Sequence, residues 1–286
     1  MRLEQIEERA AAPLARVNLR AAFATWTAKF AENNILTYAS AIALQLLVAL
    51  AALVYLAVAL LEPVGAERRW QTGVVPVLAG HLPTEWLAAI LWSVQRETAA
   101  RSDALIALGA AVLVWELSGA VRAVIGGLNR IYGVQETRSF RRRFLLSFGL
   151  AVFIAPPLIV ALFIAGGAVR LGGPELDVPE RILVPALLIY IVVAALVLVA
   201  PAKRQPWSWV SAGSVWIILA WLGVSAGYGY WVSEVVDLRS PDGALVVVLS
   251  LVGYLYATAI AFLVGAQIDQ LVREGGAAAA LGGRTT

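Results

Sequence analysis

Six apolar segments dominate this chain, at residues 35–61, 104–127, 144–169, 182–200, 208–232 and 244–271. Each is close to or longer than the roughly 20 residues that a helix needs to cross a hydrocarbon core about 30 Å thick. Lipid offers no hydrogen bonds to a backbone, so a segment of this kind must satisfy its own N–H and C=O groups as a helix. The expected fold class is therefore all-α: a polytopic membrane protein with six transmembrane helices. Composition agrees, with 60% hydrophobic and only 14% charged residues.

The connections sort by positive charge. Assigning the chain start, the second-to-third and fourth-to-fifth connections and the chain end to one side collects fourteen Lys and Arg there, against seven on the other, where eleven acidic residues lie, among them Glu175, Asp177, Glu180, Glu234, Asp237 and Asp242. The positive-inside rule then predicts both termini in the cytoplasm. Excess arginine beside membrane ends also accounts for the basic balance of the chain without nucleic acid, so no nucleic-acid partner is expected. The first 34 residues lack a compact apolar region followed by a small-residue cleavage site, so no cleavable signal peptide is expected. With no cysteine, the sequence has no disulfide framework, thiolate nucleophile or cysteine metal site.

The expected organisation is an N-terminal interfacial segment (1–34), a six-helix transmembrane domain (35–271) and a disordered cytoplasmic tail (272–286). Leu19, Phe23, Trp26 and Phe30 fall at four-three-four spacing, with Arg16, Arg20 and Lys29 elsewhere. That pattern predicts an amphipathic helix, either lying in the interface or packed on the inner ends of the spans. The connection 62–103 predicts one or two extracytoplasmic helices, the second starting near Pro83. Trp207 and Trp209 against Trp231, about 36 Å apart at helical rise, predict two interfacial belts. Gly253, Ala257, Ala261 and Gly265, with Gly223 and Gly227 on the fifth span, predict close helix approach. Pro156 and Pro157 predict a kink or break in the third span.

Charges within spans carry the functional candidates. Glu116 and Arg122 lie in the second span, where a charge is costly and by default faces protein or a wet cavity. They are six residues apart, about 9 Å along the axis, so a direct pair needs both side chains to bend. Trp115, Ser118, Arg122 and Asn129 share one face. Gln45, Tyr190, Tyr254, Thr258 and Gln267 are candidates to join Glu116 and Arg122 in a polar intramembrane site. Such a site either forms a pathway or groove, or only fixes helix register.

Catalytic constellations are not visible. His81 is the only histidine, so no multi-histidine metal site is available. No GxSxG elbow, P-loop or Rossmann glycine pattern occurs. No enzyme, metal or cofactor is expected.

The block Trp115…Leu128-Asn129-Arg130-Ile131-Tyr132-Gly133-Val134…Glu136-x-Arg138 resembles the YihY/virulence factor BrkB family, formerly labelled ribonuclease BN. Tyr190 ahead of Pro201…Pro206-Trp207, Gly213…Trp216 and Leu263-Val264-Gly265-Ala266 extend the resemblance over most of 33–271. Gln267 stands where the family usually has a Gly-Ala-Glu carboxylate. The resemblance implies six spans with both termini inside, in a bacterial inner or plasma membrane. Asn129, Tyr132, Glu136 and Arg138 then read as a signature at a cytoplasmic boundary. The leading expectation is a membrane protein that transports or presents an amphipathic substrate such as a lipid. The alternative is a structural or partner-binding envelope protein, self-associating or bound to another chain; a ribonuclease has least support.

Overall fold

In the computed structural model, residues 19–81, 83–99, 103–167, 177–202, 212–237, 240 and 243–282 are described, and they are helical with short connections. Helix α1 spans Leu19–Glu32 and α2 Ile35–Leu60. A short α3 (Glu67–Arg69) runs through a π turn (Trp70–Val74) into α4 (Val75–His81), and α5 is Thr84–Ala99. The remaining helices are α6 (Asp103–Ile131), α7 (Phe140–Ala165), α8 (Asp177–Val199), α9 (Ala212–Glu234) and α10 (Gly243–Gly282). Six of these, α2 and α6 to α10, are long and apolar enough to cross a membrane. They coincide with the six segments read from the sequence.

The bundle is apolar outside as well as inside. Leu44, Leu108, Leu183, Leu219 and Leu249 are each about 60% exposed, which water would penalise and lipid tails accept. Helices α2 and α6 pair at the centre; α10 packs on α2, α7 on α6, α8 on α7 and α9 on α10. By contrast α2 and α7 touch only lightly, so one face of α6 is bared between them.

Glycines on α6 permit the central pairing. A Cβ at Gly126 would stand 2.7 Å from the Tyr38 ring, one at Gly109 2.9 Å from the Tyr55 ring, and one at Gly119 would overlap the Gln45 amide. Of the small residues expected to bring the fifth and sixth spans close, Gly265 is buried and Ala257 and Ala261 are half-buried, but the other three behave differently. Gly223, Gly227 and Gly253 have nothing within 4 Å of a built Cβ and face outward. Small residues bring backbones together only where a neighbour enters the notch; between α9 and α10 that space is filled by aromatic rings, with Tyr228 and Tyr254 at 4.9 Å between centroids.

Two further expectations are corrected. Pro156 and Pro157 do not break the third span, because α7 is continuous from Phe140 to Ala165 with both inside it. Proline's fixed φ suits a helix, and its cost is the missing N–H, which here leaves the carbonyls of Val152 and Phe153 without their usual partners. A bilayer tolerates such freed carbonyls where neighbouring helices or local adjustments of the turn satisfy them. Of the expected tail, residues up to Gly282 continue α10, through Ala277–Ala280, the residue type with the highest helix propensity, and 283–286 lie outside the described residues.

The connection between the first two spans is helical, with α5 beginning beside Pro83 as expected. Its π turn has a local cause. Pro76 has no N–H to give, and the preceding Val75 N–H reaches back five residues to the Trp70 carbonyl. Trp70 and Val94 pack on Leu61, Ala66 and Phe163, covering one end of α2 and α7. At the opposite end, Asn34 takes a left-handed φ of 52° and turns the chain from α1 into α2. There α1 is tied down: Gln267 Nε2 donates to the Trp26 carbonyl at 3.2 Å, and Arg130 donates to the Glu32 carbonyl. Phe30 packs on the core. The side chains of Leu19 and Phe23, together with Trp207, Trp209, Glu175 and Asp242, lie outside the described residues.

Gly126→Val drives a branched side chain into the Tyr38 ring, and overpacking of this kind costs about 1–3 kcal/mol. Thermal unfolding in detergent should show a lower midpoint for Gly126→Val and partial recovery when Tyr38→Ala is added. An unchanged midpoint for the single variant would show that the pair does not depend on this notch.

Candidate functional site

The end of α6 carries the best-built polar site. The helix finishes in a Schellman motif: Gly133 N–H bonds the Arg130 carbonyl at 3.2 Å, Val134 N–H bonds the Asn129 carbonyl at 2.8 Å, and Gly133 sits at φ 62°. Val134, just past the glycine, packs on the core as that motif favours. Leu128-Asn-Arg-Ile-Tyr-Gly-Val is thus a helix stop. It turns the chain so that Glu136 and Arg138 come back over Asn129.

Those three residues join the ends of two helices, α6 and α8. Asn129 Nδ2 donates to Glu136 Oε2 at 2.9 Å, and its Oδ1 accepts from the Ala202 N–H at 2.8 Å. Arg138 grips Glu136 with two parallel bonds, Nε to Oε1 at 2.8 Å and Nη2 to Oε2 at 2.9 Å. Its Nη2 also donates to the Ala200 carbonyl at 2.8 Å, just past the C-terminus of α8, where backbone acceptors and the helix dipole favour a cation. The Arg138 side-chain bond leads the causes that hold the Glu136 carboxyl down at about 2, below its ordinary 4.5, against a smaller opposing effect of burial. Tyr132 is buried alongside, 7% exposed. All four signature residues therefore lie at one joint between α6, the α6–α7 turn and the end of α8.

About two to three turns back along α6 is the second polar element. Ser147 Oγ donates to the Phe144 carbonyl at 2.8 Å, which leaves its oxygen to accept from Ser118, 3.1 Å away. Ser118 in turn accepts from Arg122 Nη1 at 2.7 Å. Both hydroxyls are fully buried. Arg122 is thereby held from behind by one N–H, with its guanidinium 5.8 Å from the centre of the Phe144 ring. The rest of its fork has no partner among the described residues.

Arg122 and the α6 terminus border one cavity of about 640 Å³, also lined by Thr37, Tyr38 and Ala41 of α2, Gly126, Arg130, Glu136 and Arg143. That volume lies within the range of ligand pockets. Arg143 Nε, on α7, is buried and has no hydrogen-bond partner among the described residues.

The other sequence candidates do not gather here. Glu116 does not pair with Arg122, lies outside the cavity and makes no hydrogen bond or ion pair among the described residues; its carboxylate leaves α6 on a different face. Gln45 lies over Gly119. Tyr254 belongs to a hydroxyl and aromatic cluster joining α9 and α10, with Trp221 Nε1 donating to its OH at 3.1 Å and Ser225 Oγ 2.9 Å away. Gln267 serves the α1 joint, where Asn33 Nδ2 approaches it at a long 3.4 Å. Thr258 Oγ1 is buried without a partner among the described residues, and Tyr190 makes no hydrogen bond among them. The single intramembrane pathway is replaced by separate clusters, because residues at similar depth on different helices point into different interfaces. Ser147 and Arg143 escaped the sequence reading; an arginine run beside a membrane end reads as topology, and only packing distinguishes Arg143 from Arg141 and Arg142.

A sheath of lipid-facing apolar residues, six spanning helices and a charged joint at one end define a multi-pass helical membrane protein. The family model for the virulence factor BrkB matches residues 26–283. The chain belongs to that family. It is also similar to the ribonuclease-like protein YfkH of Bacillus subtilis (strain 168), with 26% identity over 186 residues, covering 61% of this chain and 68% of that protein. No solved structure matches.

The Glu136 carboxyl titrates lower folded than unfolded, so its stabilising effect is complete above about pH 4.5 and is lost as pH falls from there towards 2. Unfolding midpoints measured from pH 6 down to 2 should fall across that window in the native sequence. The fall should be smaller in Glu136→Gln, whose midpoint at pH 6 is already lowered. Parallel curves would contradict this role.

Proposed function

We propose that this protein moves or presents an amphipathic substrate, of the lipid kind, at the arginine-rich end of its bundle. On the positive-inside reading that end faces the cytoplasm, with both termini inside, in a bacterial inner membrane. The observation that carries the proposal is the 640 Å³ cavity between α2, α6 and α7, bordered by Arg122 and Arg143 on one hand and by Tyr38 and Ala41 on the other. A pocket that is cationic at the interface and apolar beside lipid suits a molecule with both characters.

A second reading keeps its own support. The Asn129, Tyr254 and Gln267 clusters each satisfy their groups internally and join helices, as expected of a structural or partner-binding envelope protein. The activity suggested by the relative's ribonuclease-like name finds less support. The one carboxylate bordering the cavity, Glu136, is held ionised by Arg138, and a carboxylate with so low a pKa is a weak general base.

Proteoliposomes containing a fluorescent phospholipid distinguish the two readings. Chemical quenching of the outer leaflet should remove about half the signal from protein-free vesicles, and the remainder should follow at least ten-fold faster when the protein is present. No acceleration, together with no lipid co-purifying above detergent controls, would leave the structural reading.

A further inference from the structure

The cavity has an excess of positive charge that the protein itself does not answer. Arg122, Arg130 and Arg143 border it, and Glu136 is the one carboxylate among its lining residues. Glu136 is already used, with both oxygens engaged by Arg138 and Asn129. Arg130 is engaged too, through Nε and Nη2 on the Glu32 carbonyl. Arg122 and Arg143 are left. Arg122 is fixed by the Ser118–Ser147 relay through a single N–H, and Arg143 has a buried Nε with no partner among the described residues. A guanidinium nitrogen buried without a hydrogen-bond partner, as Arg143 Nε is among the described residues, is costly. The position of Arg143 adds to the cost, since a cation in the first turn of α7 opposes the helix dipole. Both costs vanish if an anion occupies the cavity, and the planar Arg fork is matched to phosphate oxygens.

The anion's source is indicated by what adjoins the cavity. Leu108, Val112 and Trp115 are 60%, 40% and 57% exposed and follow one face of α6. Arg122 lies on that face seven residues beyond Trp115, about 10 Å further along the axis. The light contact between α2 and α7 leaves this face open along the flank of the bundle. We propose that the cavity binds the phosphate of an anionic membrane lipid between the guanidiniums of Arg122 and Arg143, with the acyl chains along Leu108, Val112 and Trp115. This rests on the reading of the protein as one that handles an amphipathic substrate, and names the headgroup chemistry.

Native mass spectrometry and thermal shift on the full chain in detergent test it, with phosphatidylglycerol, phosphatidylcholine and inorganic phosphate as probes. Phosphatidylglycerol should bind saturably and at least ten-fold more tightly than phosphatidylcholine, whose choline already answers its phosphate. Arg122→Gln and Arg143→Gln should each weaken it about ten-fold to a hundred-fold, the loss expected for a charged hydrogen bond. Arg122→Lys, which keeps the charge but not the fork, should fall between, and Arg142→Gln should bind as the native chain does. Arg143 has no side-chain hydrogen bond among the described residues to lose, so its variant remains informative if Arg122→Gln fails to fold.

Equal affinity for the two lipids, indifferent to both arginines, overturns the site. So does inorganic phosphate that binds alone with the same arginine dependence and competes with phosphatidylglycerol, since a free anion is then the ligand. The two proposals fail separately. Lipid movement at the native rate in both arginine variants rejects this site and keeps the transport reading; phosphatidylglycerol held through both arginines in a protein that moves no lipid does the reverse.

Discussion

No hydrophobic force draws two helices together inside a bilayer, because lipid tails solvate leucine as well as another helix does. The α2–α6 pair at the centre of this bundle therefore depends on contact, made where Gly109, Gly119 and Gly126 receive Tyr55, Gln45 and Tyr38. The other spans are arranged on this pair. Helix α10 leans on α2 and α7 on α6, and each carries one more helix outside it. The same arrangement keeps α2 and α7 apart, which creates both the bared face of α6 and the cavity at its end.

That end is held by charge. The Schellman stop at Gly133 reverses the chain, Glu136 locks onto Arg138 and Asn129, and Arg138 and Asn129 reach Ala200 and Ala202 beyond α8. Arg130 fastens α1 there through its last carbonyl, that of Glu32, and Gln267 through the Trp26 carbonyl further back. The helix-end carbonyls of Glu32 and Ala200 would otherwise lack a fixed partner. The arginines are thus divided between two duties. Arg138 and Arg130 build the joint, while Arg122 and Arg143 stand beside a cavity with bonding capacity to spare.

Glu116 and Arg122 illustrate how far a sequence reading of polar residues reaches. Both were found by a simple rule, charge within an apolar run. The rule says nothing about which neighbour each will meet. Six residues of helix put them on different faces, so Arg122 turns to Ser118, Phe144 and the cavity while Glu116 does not join them. Tyr254 and Gln267, polar but uncharged residues within such runs, belong to two other joints.

The sequence by itself determined the six spans, the helical α1, the helical connection near Pro83 and the family signature, because these follow from local quantities: apolar length, periodicity and a helix-stop glycine. Tertiary structure alone decided that α7 runs unbroken through Pro156 and Pro157, that Gly223, Gly227 and Gly253 face outward while Gly265 is buried, and that Ser147 and Arg143 join the site. Each of these depends on which surface lies opposite a residue. In a membrane, where every face is apolar, sequence periodicity cannot distinguish a neighbouring helix from lipid.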